Sequence, residues 1–325
     1  MSELEPILTC DRTSIFPIIH DDIWKLIKQL QSSTWFVEEI DFSTDIRDWA
    51  LMTDNEKHFI KSILAFFANA DALVNDNLIL NFFQEIKLPE SKMFFATQIF
   101  NETIHQETYS LTIDTLIKDK KEKELLFNAI REIPFVQKKA SFVTKWMEKD
   151  DNDINRSLAR RLVAFICVEG LLFSASFCAL FWLKTKNKLH GVTFSNELIV
   201  KDESTHCKHL FLLYSKLIYN KTGKEDAEEI IREAVNIEME FVKESLNVDL
   251  IGMNSKLMCE YVQFVADYLL TMIGYEKIYN TKNPFQFMES ISIEGKTNFF
   301  ERRVSEYSKN LGGEEDNKVS FEEDF

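Results

Sequence analysis

The chain has 325 residues, of which 45% are hydrophobic and 28% are charged, a composition that is ordinary for a soluble globular protein with a large core. Its net charge of −15 repels phosphate backbones and anionic membranes, which disfavours nucleic-acid and membrane binding. Five scattered cysteines without a Cys-x-x-Cys pair fit a reducing, cytoplasmic compartment, and the 8 glycines and 5 prolines allow few turns between strands. The composition therefore predicts an all-α fold.

The first elements are an N-terminal arm and a short helix. Residues 1–19 have a mixed composition with two prolines, and the pattern leaves open whether this arm is ordered. A helical pattern begins at Asp21 and runs to Leu30. Trp35 follows this helix, and a tryptophan in such a place most often anchors packing. The folded domain is therefore expected to begin near residue 20.

The next helix is announced by a capping signature and carries an acid on its apolar face. Thr53-Asp54-Asn55-Glu56 has the spacing of a capping box. The apolar stripe that follows runs from Ile60 to Leu78, and Asp71 interrupts it on the buried side. Asp71 is either hydrogen-bonded to a polar neighbour or available as a ligand for a metal.

The stretch Asn101–Tyr109 is the most informative in the sequence. On a helix, Glu102, His105 and Tyr109 share one face, and apolar residues continue that face in both directions. This helix is expected to run to about Asp119. Burial of a carboxylate is costly without a compensating cation, and a Glu-x-x-His pair is suited to bind a metal ion. In an acidic protein, however, one such pair is expected to occur by chance.

A second Glu-x-x-His pair, Glu203 with His206, also lies on an apolar helical stripe. Between the two pairs, the segment Leu162–Leu183 is the most apolar in the sequence and contains Glu169 near its start. Its 22 residues are long enough to span a bilayer. Glu169 and two serines within it favour instead a central helix that is buried on all sides.

Four helices thus contribute four carboxylates and two imidazoles, each placed on an inward face. Carboxylate-bridged dinuclear metal proteins use this donor set: a Glu-x-x-His pair from each of two helices and one carboxylate from each of two others. The sequence therefore predicts a dinuclear metal site in a helical bundle. The candidate ligands are Asp71, Glu102, His105, Glu169, Glu203 and His206.

At these residues the sequence resembles the small, radical-generating subunit of class I ribonucleotide reductase, of the eukaryotic type. The resemblance extends from about Ile15 to Tyr307 and includes the spacing between the candidate ligands. The motifs that carry it are Phe66–Asp71, Glu102–Tyr109, Val168–Gly170, Phe194–Cys207 and Ser292–Glu301.

The resemblance implies a ferritin-like helical bundle over residues 20–307, which forms a homodimer and holds two iron ions as an oxo-bridged di-iron centre. The six candidate ligands match the family's iron ligands. Tyr109 matches the residue that the family oxidises with O₂ to a stable tyrosyl radical. Three residues match the apolar pocket of that radical, although ordinary packing would use the same residue types: Phe173, Phe177 and Ile199.

The resemblance also implies a route by which the radical reaches a large subunit, where ribonucleoside diphosphates are reduced. Asp202 matches a carboxylate that links His105 to Trp35, and Tyr307 matches a tyrosine that relays the radical. A departure occurs at Lys201, where the family usually has an arginine with a forked set of donors.

The last stretch, 308–325, is predicted to be a flexible acidic tail that docks the large subunit. It combines acidic residues with apolar anchors, as in peptides that fold into a groove on binding. Asp324 and Phe325 match the family's terminal pair. Val319 replaces a usual phenylalanine, and Phe321 stands where an aliphatic residue is common.

Three other functions share parts of this pattern. An iron-storage or ferroxidase protein would need the ligand helices. It would not need Tyr109, Trp35 or a docking tail. A desaturase or hydroxylase would need a substrate channel beside the metals. A small subunit that has kept only its fold and tail would be a structural or regulatory partner, which the complete ligand set disfavours.

Overall fold

The computed structural model describes residues 3–150, 152–246, 250 and 252–288. Within these ranges the regular structure is helical, with a single isolated bridge between Leu250 and Met253. The helices are α1 (Pro6–Thr9), α2 (Asp21–Ser32), α3 (Asp45–Leu51), α4 (Asp54–Asn77), α5 (Phe83–Glu85), α6 (Pro89–Leu116), α7 (Lys120–Phe127), α8 (Ala129–Glu132), α9 (Pro134–Lys145), α10 (Ile154–Gly170), α11 (Ser174–Thr185), α12 (His190–Ser215), α13 (Lys224–Ser245) and α14 (Ser255–Met272). A 3₁₀ turn occupies Val37–Glu39, and a π-helical turn occupies Leu78–Phe82 between α4 and α5. The predicted all-α fold is confirmed.

Local signals fix the start of α4 and the end of α6, two of the helices that carry candidate ligands. Thr53 caps α4 by accepting a hydrogen bond from the backbone N–H of Glu56, and the Glu56 side chain accepts from the backbone N–H of Thr53. α6 ends at Leu116 rather than near Asp119, because the Asp119 side chain caps the following helix by accepting from the N–H of Glu122.

The apolar segment Leu162–Leu183 is not one helix, which corrects the sequence-based expectation. α10 ends at Gly170, and α11 begins at Ser174. The hydroxyl and the backbone N–H of Ser174 both donate to the carbonyl of Leu171, which closes the turn between the two helices.

Two stretches of the described residues, Asp54–Glu85 and Ile154–Thr185, are long and apolar enough to cross a membrane by length and composition alone. The most apolar 18-residue window of the second stretch is entirely buried within the fold, as expected for the central helices of a bundle.

The core is built from four long helices that pack around one another. α6 packs against α4 and α12, and α10 packs against α12, while α13 covers α10 and α4 from outside. Buried aliphatic and aromatic residues from these helices form one continuous cluster. This arrangement turns one face of each long helix toward a common centre.

The N-terminal arm is fastened to this bundle by two buried carboxylates. The Glu5 carboxylate accepts hydrogen bonds from the backbone N–H groups of Ile218, Tyr219 and Asn220 at 2.8–2.9 Å. Glu90, on the first turn of α6, pairs with Arg12. The sequence left the order of the arm open, and these contacts show that residues 3–19 pack on the bundle.

Candidate metal centre

All six candidate ligands lie on the helices that meet at the centre of the bundle. Asp71 is on α4, Glu169 is on the last turn of α10, and the two Glu-x-x-His pairs are on α6 and α12. Each of the six residues is at most 2% exposed. Because an i, i+3 pair shares one helical face, each pair directs its carboxylate and imidazole to the same place.

The side chains form two overlapping groups whose potential ligand atoms lie within 4.8 Å of one another. One group contains Asp71, Glu102 and His105, and the other contains Glu102, Glu169, Glu203 and His206. Glu102 belongs to both groups, so it could serve as a ligand to two ions. The structure thus has donors for two adjacent cations rather than for one.

Both imidazoles turn Nδ1 toward the carboxylates. His206 Nδ1 lies 3.0 Å from Glu102 Oε1 and 3.3 Å from Glu203 Oε2. His105 Nδ1 lies 3.3 Å from Glu102 Oε2 and 3.1 Å from Glu203 Oε1. An imidazole nitrogen and several carboxylate oxygens therefore converge at each position.

The electrostatics of the cluster show an excess of negative charge in a dry core. Burial raises the pKa of Asp71 and Glu169 well above their ordinary values, and the neighbouring carboxylates raise both pKa values further. Burial alone would lower the pKa of His206, but Glu203 and Glu102 raise it to about 9. Without cations, this cluster offsets its charge by retaining protons.

The residues present fit a pair of hard metal ions. Two buried carboxylate oxygens of the cluster, Asp71 Oδ2 and Glu169 Oε2, have no hydrogen-bond partner in the described structure. Unpaired polar atoms at this depth are costly, and metal coordination would satisfy them. Carboxylates and neutral imidazoles suit iron or manganese.

On the other side of His105, a carboxylate joins the cluster to Trp35. Asp202 Oδ2 accepts a hydrogen bond from Trp35 Nε1 at 2.9 Å and lies 3.2 Å from His105 Nε2. The rings of Trp35 and His105 are stacked with centroids 6.1 Å apart. Asn101 Nδ2 also approaches Asp202 Oδ2, at 3.5 Å. Asp202 therefore orients the imidazole and connects it to the indole.

Gln98 is a further site residue that the sequence reasoning missed. Its Nε2 donates to Glu169 Oε1 at 3.1 Å, and the side chain is completely buried. Gln98 stands one helical turn before Glu102, so a search for any polar residue on the ligand face of this helix would have found it.

Tyr109 lies beside the cluster in an aromatic environment. Its hydroxyl has no hydrogen-bond partner within the described residues, and the side chain is buried. Burial raises the pKa of the Tyr109 phenol well above its ordinary value, and the negative charges of Asp71, Glu203 and Glu102 raise it further. The phenol is therefore dry, protonated and close to the ligand carboxylates.

The ring next to Tyr109 belongs to Phe67, which the sequence reasoning did not single out. The two rings are stacked with centroids 4.4 Å apart and an interplanar angle of 7°. Phe67 in turn contacts Phe173 and Phe177, at centroid distances of 5.6 and 5.1 Å. Ile199 is buried on α12, one turn before Glu203. Phe67 stands one turn before Asp71, and this spacing was the available signal.

The remaining residues predicted for the radical route and the tail lie outside the described residues. They are Tyr307, Val319, Phe321, Asp324 and Phe325.

Comparison with known proteins gives the family of this chain. The family described as ribonucleotide reductase, small chain, matches residues 12–284. A ribonucleoside-diphosphate reductase small chain from Plasmodium falciparum is 52% identical over 92% of this chain and 84% of its own length. The corresponding protein from Trypanosoma brucei brucei is 50% identical over 99% of this chain and 95% of its own length.

Among solved structures, the ribonucleotide reductase Rnr4 homodimer from Saccharomyces cerevisiae superposes with a TM-score of 0.80. It is 36% identical and covers 94% of this chain and 93% of its own. This protein belongs to the ribonucleotide reductase small-chain family, the smaller component of ribonucleoside-diphosphate reductases.

Proposed function

We propose that this protein binds two iron ions and stores one oxidising equivalent as a radical on Tyr109, which it passes to a large subunit for ribonucleotide reduction. The observation that carries the proposal is the position of a buried, unpartnered phenol next to a cluster with donors for two cations. An iron-storage protein would have no use for such a phenol.

The two donor groups support the following assignment of ligands. Asp71, Glu102 and His105 would hold one ion, and Glu102, Glu169, Glu203 and His206 would hold the other. Once bound, two iron ions and O₂ together supply the oxidant that takes an electron from the phenol.

The protein's own residues explain why a radical on Tyr109 would last. The raised pKa keeps the phenol protonated until the electron leaves, so oxidation also transfers the hydroxyl proton toward the carboxylates. The stacked Phe67 ring and the neighbouring Phe173 and Phe177 exclude water and present no readily oxidised group. These contacts favour a neutral radical that persists.

The contacts from His105 through Asp202 to Trp35 support a path for the radical toward a partner. In this path, Trp35 would give an electron to the Tyr109 radical. Asp202 accepts the hydrogen bond from the indole N–H of Trp35. In the proposed route, Tyr307 continues this path in the tail. The tail anchors Phe321, Asp324 and Phe325 would dock the large subunit, where the nucleotide is bound and reduced.

A homodimer is part of the proposal. Phe36 and Phe100 contact each other edge to face, with the ring centroids 6.2 Å apart, and about half of each side chain is exposed in the single chain. Leu111 is exposed on the same helix as Phe100. A second copy of the protein would cover such a surface.

We place the assembly with its large subunit in the cytoplasm, in keeping with unpaired thiols within the described residues.

The proposal is tested by loading the metal-free protein with ferrous iron and O₂ and recording its electron paramagnetic resonance spectrum. We expect a tyrosyl signal in the wild-type protein and its loss in Tyr109→Phe, with the iron content unchanged. Tyr219→Phe, at an exposed tyrosine, is the control and should keep the signal. A wild-type protein that is fully loaded with iron but forms no radical would contradict the proposal.

A further inference from the structure

A second buried ionic group lies beside Phe66, which contacts the Phe67 ring stacked on Tyr109. Lys139 on α9 and Glu238 on α13 are both completely buried, with Nζ and Oε2 2.8 Å apart. Lysine and glutamate are almost never fully buried unless they are paired. A lone buried pair adds little net stability, so its presence calls for another explanation.

The Lys139 ammonium makes a contact that accounts for its depth. Its Nζ donates to the backbone carbonyl of Leu172 at 2.5 Å. Leu172 lies in the interruption between α10 and α11, where the carbonyls have lost their usual helical partners. The ion pair is therefore tied to the interruption through the Leu172 carbonyl.

The same ammonium is enclosed by aromatic rings that lead to Tyr109. Nζ lies 3.4 Å from the ring centroid of Phe66 and 3.9 Å from that of Phe241. The ring centroids of Phe66 and Phe67 are 5.7 Å apart, and Phe67 is the ring stacked on Tyr109. Lys139 therefore contacts the aromatic rings on one side of the pocket.

The helix interruption itself supplies the pocket residues. Phe173 lies within it, and Phe177 follows one turn later, and both pack on Phe67. A shift of the backbone at Leu172 would therefore move two of the rings that enclose the phenol.

We propose that Lys139 and Glu238 are positioning residues for the proposed radical: they fix the backbone of 171–177 so that Phe67, Phe173 and Phe177 stay packed around Tyr109. The inference rests on the proposed function for the radical, and on geometry alone for the backbone segment. Neither residue is among the metal ligands, so iron binding does not depend on them.

The test uses the full-length protein with both charges removed, Lys139→Met with Glu238→Gln, which leaves no uncompensated buried charge. The matched control is Lys138→Met with Glu240→Gln. Lys138 and Glu240 pair across the same two helices, but at the surface.

Two measurements are made on each variant. In metal-free protein, mass spectrometry follows backbone hydrogen exchange in the segment 171–177. In iron-loaded protein, electron paramagnetic resonance follows the half-life and the hyperfine pattern of the tyrosyl radical, which reports the ring angle of Tyr109.

We expect the double variant to exchange 171–177 about tenfold faster or more and to shorten the radical half-life by a similar factor, with iron content unchanged. The hyperfine pattern should also change, which a general loss of stability would not cause. The surface control should match the wild-type protein in every measurement.

Wild-type exchange at 171–177 in the double variant would overturn the inference, whatever the radical does. Faster exchange with an unaltered radical half-life would also overturn it. If the wild-type protein forms no radical, the proposed function fails, whereas the exchange experiment still decides whether the pair fixes this segment.

Discussion

Two buried ionic groups in the same core differ in their charge balance. The candidate metal centre gathers four carboxylates but only two imidazoles, so acids outnumber the groups that can carry a positive charge. The Lys139–Glu238 pair contains one cation and one anion in direct contact. The first group is incomplete without added cations, and the second is balanced in charge.

This difference in charge balance distinguishes a group that binds a ligand from a group that positions the neighbouring backbone. A dry protein interior tolerates an excess of like charge only when protons or metal ions offset it. At the metal centre, raised pKa values at Asp71 and Glu169 indicate that protons offset the charge in the absence of metal. At the pair, each side chain offsets the other, so that group needs no ligand and its role is to hold neighbouring backbone.

The largest expected effect is the loss of iron when the shared carboxylate is removed. Glu102→Ala takes ligand atoms from both groups at once, so bound iron should fall from about two ions per chain to almost none. Iron would be measured after gel filtration. Glu107→Ala, at an exposed site on the same helix, is the control and should retain its iron. Retention of both ions by Glu102→Ala would show that the cluster is not the binding site.

The next effect concerns stability at the balanced pair. Lys139→Met alone leaves Glu238 buried without its cation, and we expect the free energy of unfolding to fall by about 3–5 kcal/mol. The double change Lys139→Met with Glu238→Gln should restore most of this loss, because no charge remains uncompensated. Chemical denaturation of the metal-free protein measures both. A single variant as stable as the double variant would remove the distinction between the two buried groups.

The two groups also differ in how visible they are in the sequence. The ligands could be predicted because an acid on an apolar stripe at helical spacing is a local signal, and the structure brings all six predicted side chains together. Trp35 and Asp202 were tied to the site by resemblance, and the hydrogen bond between them is present. The capping box at Thr53 also placed the start of α4 correctly.

The balanced pair could not be predicted from local patterns. Lys139 follows another lysine and has the appearance of a solvated position, and its partner lies far along the sequence on a helix whose register against α9 is set only by packing. The interruption at 171–173 lies within a run of apolar residues, and its free carbonyl is satisfied by that distant lysine. Tertiary contacts, rather than periodicity, decide both features.

A smaller effect is expected at Asp202, which contacts the candidate ligand His105 but is not itself a candidate ligand. Asp202→Asn removes the charge that holds His105 Nε2, and we expect iron affinity to fall by about 10–100-fold, as is usual for partners of metal ligands. Competition with a coloured chelator measures the affinity. Lys201→Gln, the neighbouring change on the same helix, serves as the control. Unchanged affinity in Asp202→Asn would mean that the ligand geometry is set without this carboxylate.

The smallest effect is expected at Glu90, a buried carboxylate at the edge of the fold that is balanced by Arg12. Burial alone would raise the pKa of Glu90, but hydrogen bonds from Arg12 and from the backbone N–H groups of Ile19 and His20 lower it to about 2. A lowered pKa in the folded state stabilises the protein above the ordinary value of 4.5 and loses this contribution as the pH falls toward 2.

The difference in unfolding free energy between wild type and Glu90→Gln should therefore be constant from pH 7 to about 5 and shrink steadily below about 4.5. Denaturation with urea at several pH values measures it, and exposed Glu107→Gln is carried through the same series as a control. A difference that stays constant down to pH 3 would mean that Arg12 holds Glu90 by shape rather than by charge. In that case, charge balance would govern the two central groups but not the attachment of the arm.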